Sequence, residues 1–193
     1  MCAKAGAGTV TLNAFDRLAL ADLVHLYASA VDDRRFDNVV ELFTETAELR
    51  LPDPPRSLDP VHHHHGRDGV RSAMAALAAV DRTEHAIVGE VYAAGEDADY
   101  ALGRITCIAH HWTVSDGQAS DLVWHLRYDD EYLRTRVGWR FHGRALTINA
   151  IEARPVRRLR ERGGREAAVD PSAASTSPQR RETNRRGRPR DTP

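Results

Sequence analysis

After Val80 the apolar pattern of this chain changes its period, and that change limits the fold more than any other feature of the sequence. Upstream the spacing is helical. Asn13 is a predicted N-cap for a helix running to about Ser29, with Leu20, Val24, Tyr27 and Val31 on one side and Asp22, His25 and Ser29 as a polar stripe. Phe36, Val39, Val40 and Phe43 fall at i, i+3, i+4 and i+7 and predict a second helix, so Asp32 to Arg35 is a short polar corner. Thr46 to Leu51 reads as a first strand. Pro52, Pro54, Pro55 and Pro60 then predict a loop that carries His62, His63, His64 and His65 and ends at Gly66, before a third helix from Val70 to Val80. Downstream the spacing becomes two. Strands are predicted over Glu84 to Ala93, Asp99 to Trp112, Asp121 to Leu133 and Gly138 to Ile151, separated by turn-rich segments of hairpin length. Connections that short leave no room for crossover helices, so helices followed by an antiparallel meander mean an α+β fold.

Charge divides the chain a second time. The net charge of −1 over 193 residues conceals twelve Arg against five acids from Arg154 to Pro193, a tail of +7 joined to a body of −8. The expected organisation is a flexible segment 1–12, a domain 13–153 and a disordered Arg-rich tail 154–193, because the tail carries almost no large apolar residue. The tail has the charge for weak contact with nucleic acid, yet no aromatic residue that could stack on bases, and an unselected extension accounts for it equally well. Cys2 and Cys107 form no disulfide framework and no metal-ligand spacing, which fits a reducing compartment. No membrane span or signal peptide is legible, and the expected location is the cytoplasm.

Chemistry is sought on the strand faces. Ala101, Gly103, Ile105, Cys107, Ala109 and His111 share one face of the long strand, and Leu102, Arg104, Thr106, Ile108, His110 and Trp112 the other. A face of small residues that ends in an imidazole would line a cavity with one titratable group, which favours His111 over His110. Alternation puts His85, Ile87, Gly89 and Val91 on one face of the preceding strand, with Ala86, Val88, Glu90 and Tyr92 opposite. His85 reads either as a hydrogen-bonded core residue or as a base, and Asp32 either as a solvated cap or as its partner. The four-histidine run lacks helical spacing and an acid at a recognised interval, so adventitious metal binding is expected there and no metal site is assigned.

Taken in order, Leu26-Tyr27, Val31-Asp32, Phe36, Leu42-Phe43-Thr44, Gly66-Arg67-Asp68, Thr83-Glu84-His85, Cys107 to His111, Arg127-Tyr128, Tyr132 and Gly138-Trp139-Arg140-Phe141 resemble SnoaL-like domains. These form a branch of the nuclear-transport-factor-2-like superfamily that includes scytalone dehydratase and hexachlorocyclohexane dehydrochlorinase. The resemblance covers roughly residues 13–150. It implies a cone in which a curved mixed or antiparallel sheet wraps about three helices around an apolar pocket, and a homodimer or higher homo-oligomer packed through the outer side of the sheet. Apolar Ala86, Val88 and Tyr92 on that outer side are consistent with such packing.

The resemblance also implies roles. Asp32 and His85 match a carboxylate and imidazole pair in which the acid orients the base, and His111 or His110 falls where a second histidine assists at the leaving oxygen. Tyr27, Trp124, Tyr128 and Arg144 are the implied substrate contacts, with Arg144 matching an arginine that stabilises a leaving group. Alternation nevertheless places Arg144 with Arg140 and His142, away from Trp139 and Phe141, so reaching the pocket requires a bulge or a local reversal of facing. Val31 stands where the dehydratase has a tyrosine before its Asp, which argues against scytalone as substrate. The expectation is a cofactor-independent lyase or isomerase of dehydratase or hydratase type, acting on a small hydrophobic cyclic substrate. The rival is a non-catalytic ligand-binding or assembly module of the same fold.

Overall fold

The computed structural model describes residues 11–160. Within the expected N-terminal segment and tail, residues 1–10 and 161–193 lie outside the described residues. Helix α1 (Ala14–Asp32) starts where the sequence predicts: the Asn13 side chain accepts a hydrogen bond from the Asp16 backbone N–H at 2.9 Å. Its buried face holds the predicted apolar stripe, Leu20, Val24, Tyr27 and Val31, together with Leu23. Helix α2 (Phe36–Glu41) is shorter than expected, because Phe43 already opens strand β1 (Phe43–Asp53). Strand β2 (Ser57–His65), helix α3 (Gly66–Ala75), a short 3-10 turn (Ala76–Ala79) and strands β3 (Arg82–Ala94), β4 (Tyr100–Ser115), β5 (Gln118–Thr135) and β6 (Gly138–Val156) follow.

The six strands form one sheet in the order β2-β1-β6-β5-β4-β3. All neighbours are antiparallel except β1 and β6, so the sheet is mixed. It curls around α1 to α3, and the core lies between the helices and its inner face. This is the α+β cone expected from the sequence. The final strand extends past the predicted Ile151 to Val156, and its last residues pair with Ala119 to Asp121 of β5.

Two readings made by simple alternation or turn chemistry are corrected. The histidine run is not in a loop. It is the second half of β2, paired in register with Glu48 to Leu51 of β1, and the prolines instead make the tight connection at 54 and 55. In β3, a bulge at Val88 inserts one residue between the pairs Ile87 with Cys107 and Gly89 with Thr106. An extra residue reverses the facing of everything beyond it. Tyr92 is therefore buried in the core against Tyr132, while Val91, expected inside, is 68% exposed on the outer face.

Candidate active site

Asp32 is the last residue of α1, and His85 lies near the start of β3. The corner that follows α1 is held down by Arg34, which takes a left-handed φ of 60° and donates to the carbonyls of Leu77 at 2.7 Å and Val80 at 2.6 Å. These carbonyls belong to the segment leading into β3, so one guanidinium ties the corner beside Asp32 to the strand that bears His85. The carboxylate then makes two contacts with the same residue. Oδ1 lies 2.7 Å from His85 Nδ1, and Oδ2 accepts from the His85 backbone N–H at 2.8 Å. The side chains are 23% exposed for Asp32 and 9% for His85. Burial alone would raise the Asp32 pKa, but the hydrogen bonds from His85 outweigh it and hold the carboxyl below its usual range.

A carboxylate can only accept, so Nδ1 of His85 carries a proton, and in the neutral ring the lone pair is then on Nε2. His111, on the inner face of β4, stands beside it, with ring centroids 6.2 Å apart and planes at 78°. Its own Nδ1 lies 3.0 Å from the carbonyl of Leu122, which by the same logic leaves its Nε2 as an acceptor. Burial pushes the His111 pKa down, so the ring is neutral near pH 7. Trp124 packs against His111 with ring centroids 4.5 Å apart, and its buried indole Nε1 has no hydrogen-bond partner among the described residues. The group thus offers two imidazole acceptors and one indole donor. The cluster brings Asp32, His85, His111 and Trp124 together. His110 faces outward, where its Nδ1 lies 2.7 Å from Asp121 and its ring stacks on Trp112.

Tyr27, Tyr128 and Arg144 form a separate group deeper in the cone. A bulge at His142, between the pairs Tyr132 with Phe141 and Glu131 with Gly143, turns Arg144 inward and resolves the conflict that alternation leaves. Arg144 is 0% exposed and sits 4.1 to 4.2 Å from the rings of Tyr27, Tyr128 and Phe141. Nε and Nη2 each donate to Asp130 at 2.8 Å, and Tyr132 donates to the same carboxylate at 2.7 Å. Burial by itself would lower the Arg144 pKa, but the Asp130 charge reverses the shift and keeps the guanidinium protonated. Nη1 has no hydrogen-bond partner among the described residues. Asp130 was missed from the sequence, although a signal exists: it is the one acid on an apolar face with Leu126, Tyr128 and Tyr132. A cavity of about 550 Å³ lies elsewhere, on the outer face, lined by Arg50, Val91, Leu102, Arg104, Asp129 and Glu131 among others.

A family model described as a SnoaL-like domain matches residues 13–145. The chain belongs to this family. An uncharacterized protein of Mycobacterium tuberculosis is 28% identical over 132 residues, covering 68% of this chain and 84% of its own length. A candidate aromatic ring hydroxylase from Novosphingobium aromaticivorans superposes with a TM-score of 0.63 at 25% identity, covering 75% of this SnoaL-like chain and 96% of its own. A candidate scytalone dehydratase from the same species gives 0.62 at 19% identity, covering 79% and 96%. A hexachlorocyclohexane dehydrochlorinase from Novosphingobium barchaimii gives 0.59 at 18%, covering 76% and 97%. The fold is thus the one these proteins share.

Proposed function

We propose that this SnoaL-like protein is a cofactor-independent lyase or isomerase for a small, largely apolar cyclic substrate, with His85 as general base. The observation that carries the proposal is the double contact of Asp32 with the His85 ring and backbone. That contact orients the imidazole, selects the tautomer with a free Nε2, and stabilises the imidazolium formed when a proton is taken from carbon. In an elimination of water, the C–H electron pair becomes the new C=C bond as the C–O bond breaks. The departing hydroxide recovers the proton from His85, giving water and the neutral base.

His111 enters as a neutral acceptor that positions a substrate hydroxyl, since its ring has no proton to give at Nε2. The Trp124 indole N–H is the better donor to an oxygen on which charge develops. A buried donor without a partner costs about 1–3 kcal/mol, which a substrate oxygen would relieve. Tyr27 and Tyr128 would wall the deeper end of the site, with Arg144 enclosed behind their rings and acting on a substrate through its charge.

The test is deuterium exchange at the carbon next to a carbonyl, followed by NMR over a panel of small cyclic hydroxyketones. His85→Ala and Asp32→Asn should each slow exchange about a hundredfold to ten-thousandfold with melting unchanged. The double variant should be little worse than the worse single variant, because the two residues act as one unit. Wild-type exchange by His85→Ala would refute the proposal.

A further inference from the structure

The edge strand β2 ends in four histidines, and pairing with β1 sorts them onto two sides. His64 and His62 lie across from Leu49 and Leu51, while His65 lies across from Glu48 and His63 across from Arg50. Because a strand alternates, His63 and His65 project to the same side as Glu48. Their rings stack at 24° with centroids 6.3 Å apart. Glu48 Oε1 lies 2.7 Å from His63 Nδ1 and 3.8 Å from His65 Nδ1, and one donor atom from each of the three residues falls within 4.8 Å of the others. The other carboxylate oxygen lies 3.6 Å from Arg50 Nε, an ion-pair distance.

We propose that Glu48, His63 and His65 form a binding site for a divalent first-row transition ion of the zinc type. Metal bonds of about 2.0–2.2 Å to imidazole nitrogen and carboxylate oxygen place tetrahedral donors roughly 3.3–3.6 Å apart. The 2.7 and 3.8 Å separations from Glu48 straddle that spacing, and both histidine rings are exposed, His63 at 51% and His65 at 75%, with room to turn. Two imidazoles and one carboxylate favour zinc, cobalt, nickel or copper over magnesium and calcium, which prefer all-oxygen shells. Three protein donors leave a fourth position for water or for a group from another molecule. An ion held there would bridge β1 to β2 and staple the edge of the sheet. The site lies at the opposite edge from β3, the strand of His85, so it is separate from the proposed base.

The experiment is a titration of the full chain with zinc in competition with a chromophoric chelator, and with magnesium as the control ion. One equivalent of zinc should bind to the wild type, with magnesium failing to displace it. His63→Ala, His65→Ala and Glu48→Gln should each weaken binding by about tenfold or more, whereas His62→Ala, on the same strand but the other side, should change it less than about twofold. The melting temperature should rise with zinc in the wild type and in His62→Ala, and not in the double variant His63→Ala/His65→Ala. Equal losses in His62→Ala and His63→Ala would identify an ordinary oligohistidine run and overturn the site. So would the absence of a bound equivalent, an unaffected Glu48→Gln, or displacement by magnesium.

Discussion

Replacing Asp130 with Asn tests the deepest electrostatic feature of the fold. In the folded protein Arg144 is fully enclosed, and its charge is met by one carboxylate through two 2.8 Å hydrogen bonds. Asn keeps the shape and one acceptor oxygen but removes the compensating charge, so a protonated guanidinium is left among Tyr27, Tyr128 and Phe141. Breaking a buried ion pair from one side costs about 3–5 kcal/mol. For a domain of this size that corresponds to a fall in melting temperature of about 6–20 °C. Urea unfolding followed by tryptophan fluorescence and by circular dichroism reads the loss directly, provided that the two probes coincide. The double variant Asp130→Leu/Arg144→Met removes both charges at similar volume and should recover part of the loss, because desolvation of the pair nearly cancels its attraction while the Tyr132 hydroxyl is left without its acceptor. A loss below about 1 kcal/mol for Asp130→Asn, or no recovery in the double variant, would mean that water or another group reaches Arg144 and that the enclosure described above is wrong.

Three further outcomes are expected. Burial depresses the His111 pKa, so below about pH 6.5 the unfolded chain takes up a proton that the folded state resists; stability from this group is full above that pH and is lost as pH falls. Urea midpoints between pH 7.5 and 5 should therefore decline less steeply in His111→Gln than in wild type, and equal slopes would refute the assignment. At Gly103 a Cβ would lie 2.8 Å from the Tyr132 ring, so Gly103→Ala should cost about 1–3 kcal/mol in the same unfolding assay. The outer face carries exposed Val91 and Leu102 beside Arg104 and Asp129, and we propose it as the face through which a homo-oligomer would pack; sedimentation should show a dimer or larger at micromolar concentration, and Leu102→Arg should shift it toward monomer. A monomeric wild type would remove that expectation.

Local patterns account for the parts of this protein that were legible before folding. The Asn13 cap, the apolar stripe of α1 and the inner face of β4 from Ala101 to His111 each follow from neighbours within a few residues, and the structure reproduces them. The pairing of Asp32 with His85 was legible only through resemblance, since 53 residues separate the two and no spacing rule joins them. Unbroken alternation fails where a strand carries an extra residue. One at Val88 moves Tyr92 inward and Val91 outward against expectation, and one at His142 supplies the bulge that an inward Arg144 requires; nothing in the residue types marks where those insertions fall.

The chain by itself determined the α+β class, because the period of its apolar residues dictates which local structure can bury them. It also determined the candidate base, through the order of its motifs. Only the tertiary structure decided which nitrogen each histidine presents, what neutralises Arg144, and that Glu48 meets His63 and His65. Those outcomes depend on register between strands, and register is a contest among long-range pairings that local sequence does not encode.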